Sequence, residues 1–191
     1  MNKIAVLIVL IFLHVSVFAI EESRIASVMQ GKIDFATSVL RKKDINIEEK
    51  TTSIFKELKS TFDFSLMARL SLGKYWNNLE ASKKDGFVVV FEEYVKKSYT
   101  DKLALYTNEK VIVKESKKIK ENRIWLYTEL QNEKETFDII YKFYETPSKD
   151  WLIYDVDIIG VSMIKTYKAQ FEDTIANNSF DYLVEKIKNV Q

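Results

Sequence analysis

At 191 residues, 47% of them hydrophobic and 30% charged, the chain has the size of one globular domain or two small ones. Lys plus Arg number 29 and Asp plus Glu 28, so no basic excess exists to follow a phosphate backbone, which argues against nucleic-acid binding by bulk electrostatics. Four Gly, one Pro and 13% aromatics argue against a disordered or low-complexity chain, and the absence of Cys excludes disulfides, thiolate-bound metal and a thiol nucleophile.

The first 19 residues read as an export leader. Met1-Asn2-Lys3 gives a positive start, Ile4 to Val15 is apolar except for His14, and Val17-Phe18-Ala19 suits cleavage after Ala19. The apolar stretch is short for a membrane span of about 20 residues, although an uncleaved anchor is the simpler alternative. No Cys follows the cut, so a lipid-modified N terminus of the bacterial lipoprotein kind is excluded. The mature chain is then Ile20 to Gln191, with equal numbers of basic and acidic residues.

Cleavage would also remove His14, the sole histidine. A mature chain without His or Cys cannot build a Ser-His-Asp or Cys-His nucleophile system, nor a histidine-bound zinc, copper or haem site. An enzyme made from it would run on carboxylates, Lys, Tyr or Arg alone.

Helices are expected through about residue 106. Ile25, Val28, Met29, Ile33, Ala36 and Leu40 recur at helical spacing within Glu21–Arg41, with Gly31 a weak point in the middle. Ile47, Thr51, Ile54, Phe55 and Leu58 mark a second helix. Phe62 to Leu70 is a third, with Asp63 as N-cap and Gly73 as terminator. Ser82-Lys83-Lys84-Asp85 resembles a capping box and predicts the start of the longest helix. Its apolar stripe (Phe87, Val90, Phe91, Tyr94, Val95, Ser98, Leu105) is widened by Val88, Val89, Tyr99, Leu103 and Tyr106, more than one packing face requires. Such a helix either runs through the core or turns part of its face to a cavity.

From about residue 107 the pattern changes to strands, about Lys110–Lys118, Ile124–Leu130, Thr136–Tyr144 and Trp151–Ile159. Short polar connections imply a four-stranded antiparallel meander. The alternation is not clean. On the third strand Phe137, Ile139, Tyr141 and Phe143 oppose Ile140 and Tyr144. On the fourth, Trp151, Ile153 and Ile159 oppose Leu152, Tyr154, Val156 and Ile158. A meander with one wet face alternates better, so either helices cover both faces or the sheet curls around something apolar. Ile164, Tyr167, Phe171 and Ile175 mark a closing helix. Phe180, Leu183, Val184 and Ile187 mark another, with a break at Asn177-Asn178 and Ser179 as cap. The expected class is α+β, a single domain over residues 20–191 with helices first, then a twisted meander closed by C-terminal helices.

Motifs for chemistry are sparse. There is no Gly-rich phosphate loop, EF-hand or serine elbow. Asp155 and Asp157, two apart on one strand, lie on one face and could do acid–base work or hold a hard metal. The simpler expectation is an exposed strand face. Lys114–Lys120 reads as a solvated strand end, and the many Tyr and Phe as core more often than ligand cage.

Two ordered signatures carry a resemblance. The first is Phe62-Asp63-Phe64, Met67-Ala68, Leu72-Gly73 and Trp76, followed by a long aromatic helix with Phe87, Phe91, Tyr99 and Leu103. The second is Trp151, Tyr154-Asp155-Val156, Gly160-Val161-Ser162-Met163, Tyr167 and Gln170-Phe171, with a late Leu183. Together, over about Glu21 to Lys188, they resemble the MlaC family of periplasmic phospholipid-binding proteins. Two positions depart from it: Glu80-Ala81-Ser82 replaces a usual Thr-Pro pair, and Lys168 stands where Arg is common.

The resemblance implies a cone similar to nuclear transport factor 2, with acyl chains in a deep apolar pocket and the head group near its mouth. It also implies a carrier that shuttles phospholipid between an inner-membrane MCE/ABC transporter complex and an outer-membrane lipoprotein–porin complex, maintaining outer-membrane lipid asymmetry without a cofactor. Where both readings meet, the expected pocket residues are Phe91, Tyr94, Val95, Tyr99 and Leu103 on the long helix, and Tyr127, Ile139, Tyr141 and Phe143 on the sheet. Val161 and Ile164 are expected at the cavity edge. Ordinary core packing is the alternative for each. Two other functions stay open: an interaction or chaperone module that binds apolar protein segments, and an acid–base enzyme using Asp155 or Asp157 with Tyr154.

Overall fold

The computed structural model describes residues 20–106 and 108–189, so the leader expected at 1–19 lies outside the described residues. Four helices come first: α1 (Ile25–Leu40), α2 (Ile47–Leu58), α3 (Phe64–Leu72) and α4 (Ala81–Ala104). The strands β1 (Lys110–Lys120), β2 (Arg123–Gln131), β3 (Thr136–Glu145), β4 (Trp151–Ile158) and β5 (Val161–Ser162) follow, then α5 (Met163–Asn177) and α6 (Phe180–Lys188). The class is α+β, as expected.

Side-chain caps fix most helix starts. Asn46, Asp63, Ser162 and Ser179 each accept a hydrogen bond from the backbone N–H three residues on, satisfying a donor that the first turn leaves free. Gly73 ends α3 at φ +53, a conformation that L side chains rarely adopt. The expected capping box is corrected: α4 starts at Ala81 with Glu80 as its cap residue and no side-chain bond. Lys84 already donates its N–H to the Glu80 carbonyl, so Ser82 lies inside the first turn rather than before it.

The strands form one open antiparallel sheet in the order β1-β2-β3-β4-β5. The expected meander of four strands therefore gains a fifth, because β4 stops at Ile158. Ile159 (φ +54) and Gly160 (φ +75) turn the chain back in a two-residue hairpin. On β4 the pairing steps from Lys142↔Asp155 to Phe143↔Ile153, leaving Tyr154 as a bulge. That one extra residue resolves the poor alternation. It lets Ile153 on one side of the bulge and Val156 on the other face the same way, both of them buried.

The buried side chains separate into two clusters. One joins α3, α4, α5 and α6 through Met67, Leu72, Phe87, Phe91, Phe171 and Leu183. Its rings meet edge-to-face, with Phe91 5.6 Å from Tyr167 and Phe87 5.9 Å from Phe171. The other joins Ile20 and the start of α1 to the sheet through Ile25, Met29, Ile124, Leu126, Phe143 and Ile153. Phe62 and Met163 pack against both. Phe62 is pinned by a parallel bridge to Ile153, and Asp63 N donates to the Ile153 carbonyl at 2.9 Å. A domain of this size ordinarily has one contiguous core.

Candidate functional site

The space between the clusters is the site. Its floor is the inner face of the sheet, where Ile139 and Tyr141 of β3 stand beside Val156 and Ile158 of β4. Its roof is the second half of α4, with Val95, Tyr99 and Leu103, and its side wall is Ile54 and Leu58 of α2. This lobe holds about 290 Å³. A second lobe of about 400 Å³ extends toward Met29, Ile33 and Leu40 of α1 and the end of α4. The two share Ile54, Leu58, Phe62, Tyr99, Leu103, Ile139, Tyr141 and Ile158, and so form one apolar channel.

Protein interiors are close-packed, and an empty apolar void of hundreds of Å³ costs several kcal/mol. A space with this lining favours an apolar guest over water. On the α5 side the first lobe adjoins a polar vestibule of about 350 Å³, lined by Tyr94, Ser98, Lys102, Thr166 and Gln170 and sharing Tyr99, Ile158 and Met163 with it.

Tyrosines inside this space are held neutral. Burial pushes the Tyr141 hydroxyl up to about 12. Burial first, and the Asp155 charge second, raise Tyr99. Tyr167 is also raised by burial, against a hydrogen bond with Ser98 that acts the other way. In alkali the unfolded chain loses tyrosine protons near the ordinary value of 10, before the native protein does, so stability falls as pH rises from about 10 to 12. Urea midpoints across that range, read beside tyrosinate absorbance, check this. A flat midpoint with all tyrosines ionising together near 10 would contradict it.

The expected pocket residues divide. Tyr99, Leu103, Ile139 and Tyr141 line both lobes, Val95 lines the first, and Tyr94 and Val161 line the vestibule, where Val161 is 61% exposed. Phe91 is corrected: fully buried, it faces Tyr167 and Phe171 in the helical cluster. Phe143 packs in the sheet-side cluster and Ile164 in the helical one, and neither lines the channel. Tyr127 is on the wrong face, since Leu126 pairs with Tyr141 across the ladder while Tyr127 pairs with Ile140, and the Lys117 ammonium lies 5.0 Å from its ring. Met29, Ile33, Ile54, Leu58 and Ile158 were not among the expected residues. Four of them stood on the α1 and α2 stripes, where periodicity marks an inward face without showing whether anything packs against it.

The carboxylate pair is also corrected. Asp155 is 5% exposed, not on a solvated face. It accepts from Lys142 Nζ at 2.9 Å, Ser162 Oγ at 2.8 Å and Ile164 N at 3.1 Å, while Lys142 also reaches Asp157 at 2.6 Å. Lys142 stands opposite Asp155 in the ladder, and the first turn of α5 lands on the same carboxylate. Burial alone would lower the Lys142 pKa, but hydrogen bonds and charges from the two carboxylates outweigh it and raise it. The arrangement holds α5 on the sheet. Tyr154, the other half of the acid–base pair, instead meets Tyr144 edge-to-face at 6.1 Å and the Arg123 guanidinium at 5.2 Å. No group of three or more His, Cys, Asp or Glu that could hold a metal ion occurs among the described residues.

An open sheet roofed by helices, with an apolar channel between two half-cores and a hydroxyl-lined mouth, defines a container for an elongated apolar molecule. The model of the MlaC protein family matches residues 30–189, and the chain belongs to that family. Among solved structures it is similar to the phospholipid-binding protein from Ralstonia solanacearum in complex with a phospholipid, with a TM-score of 0.74 and 20% identity over 85% of this chain and 93% of that one. That likeness shows the fold. No curated protein matches the chain.

Proposed function

We propose that this protein is a periplasmic phospholipid carrier, exported by cleavage of residues 1–19 and working as a monomer without catalysis. The channel between the two core clusters, in a chain of the MlaC family, carries the reading; the Ralstonia neighbour, with its bound phospholipid, supports it. A phospholipid exposes roughly 30 methylene and methyl groups at about 0.8 kcal/mol each, so leaving a bilayer bare costs on the order of 20 kcal/mol. A channel of Ile, Leu, Val and Tyr offsets most of that, and no bond needs to be made or broken. Its partners are then an inner-membrane MCE/ABC transporter complex and an outer-membrane lipoprotein–porin complex, and its task is to maintain outer-membrane lipid asymmetry.

Expression of the full chain in a Gram-negative host, purification from the periplasm without detergent, and native mass spectrometry test this. A stoichiometric phospholipid adduct is the expected result. A clean lipid-free mass, with no uptake from vesicles, would overturn the carrier reading and favour a module that binds apolar protein segments.

A further inference from the structure

We propose that the vestibule between α4 and α5 seats the head-group phosphate with Lys102 as its counter-ion, and that it favours a lipid of net negative charge, phosphatidylglycerol, over zwitterionic phosphatidylethanolamine. The proposal rests on the phospholipid reading above and adds which lipid is preferred and why.

Polar regions flank the channel. The cleft between α2 and α4 shares Thr51 and Lys96 with the first lobe, but its three carboxylates, Glu48, Glu93 and Asp101, outnumber its two lysines, Lys96 and Lys97, and disfavour a phosphate. At the α1 end, Lys32 is bonded to Glu57 at 2.6 Å and Glu109 stands at the rim. The vestibule differs from both: its lining has hydroxyls, the Gln170 amide and one ammonium, with no carboxylate. That ammonium belongs to Lys102 in the last turn of α4. It lies 4.4 Å from the Tyr99 ring centroid and forms no ion pair among the described residues. It also lines the second lobe, so it stands between that lobe and the vestibule.

A phosphodiester carries one negative charge and accepts hydrogen bonds. Beside Lys102, with the hydroxyls of Tyr94 and Tyr99 around it, it gains a charge-assisted bond and further donors. The rest of the head group decides the preference. An ethanolamine ammonium finds no carboxylate in the vestibule and meets the Lys102 charge, whereas a glycerol diol finds hydroxyl and amide partners.

The test incubates the purified protein with vesicles containing equal phosphatidylglycerol and phosphatidylethanolamine of identical acyl chains, then quantifies the lipid bound. Phosphatidylglycerol is expected in about threefold excess, the scale of one partly exposed charge pair. Lys102→Gln should bring the ratio to parity with total bound lipid unchanged, and Lys102→Arg should keep the excess. Lys186→Gln, the same charge change on the exposed side of α6, should keep it too, which separates the vestibule from attraction to the vesicle surface. Parity in the unaltered protein, or an excess that survives Lys102→Gln, would overturn the proposal. Absence of any lipid uptake would instead refute the carrier reading beneath it. Excess inorganic phosphate is expected to leave the ratio unchanged; a lost preference in its presence would make this a free-anion site and overturn the lipid assignment.

Discussion

Lys142→Met is expected to lower unfolding stability by about 3–5 kcal/mol at neutral pH, the range for stripping a buried ion pair of one partner. The substitution keeps an unbranched side chain, one heavy atom shorter, and removes its charge. Asp155, 5% exposed, and Asp157 then face each other without the ammonium that both contact, although Ser162 Oγ and Ile164 N still donate to Asp155. Like charges in a poorly hydrated site raise the pKa of one carboxyl. A carboxyl raised in the folded state contributes stability at low pH that is lost as pH rises, so the deficit shrinks on acidification from neutrality. Urea unfolding at two pH values measures both effects. Adding Asp157→Asn to the variant should recover part of the loss. A change below about 1 kcal/mol, or a deficit indifferent to pH, would mean the cluster does not hold α5 to the sheet.

The second large effect is on cargo. Ile139 lines both lobes, and Ile139→Trp places an indole in the waist they share. The ring fills space that is void in the structure, so the fold should survive with little change in Tm. Co-purifying phospholipid should drop at least about tenfold, because filling the waist takes away apolar contact worth more than 1.4 kcal/mol. Tyr127→Ala, on the opposite face of the same sheet, should retain full lipid. Full occupancy in a folded Ile139→Trp protein would move the lipid out of this channel.

The architecture was legible in the sequence because it follows from short-range rules. Helical spacing, the Asp63 and Ser179 caps, and the helix stop at Gly73 all appear in the structure as expected. The failures came where one residue changes a register or a distant element intervenes. A single bulge at Tyr154 moves every later side chain of β4 to the other face. Counting by twos across it makes the strand look apolar on both sides. Asp155 looked solvent-facing because nothing local announces that Lys142, 13 residues earlier, and the N terminus of α5 converge on it. Four of the expected pocket residues line neither the channel nor its vestibule, for a related reason. Phe91 and Val95 sit one helical turn apart, yet Phe91 meets the rings of α5 while Val95 meets the void. Periodicity reports which face is hidden from water, and the partner of that face is settled by topology.

The open sheet leaves β1 unpaired along one side for 11 residues, a length that in a flat apolar strand would invite another molecule to add to it. Lys114, Lys117, Lys118 and Lys120 occupy that border, all exposed, and its pairing with β2 is interrupted twice, after Val113 and after Lys118. A second copy docking edge to edge would have to displace these lysines, three of them paired with Glu129, Glu115 and Glu22, and would meet a backbone out of step with its own. Charge and broken register thus make this edge a poor template for strand addition, so the apolar interior of the fold does not come with a sticky border.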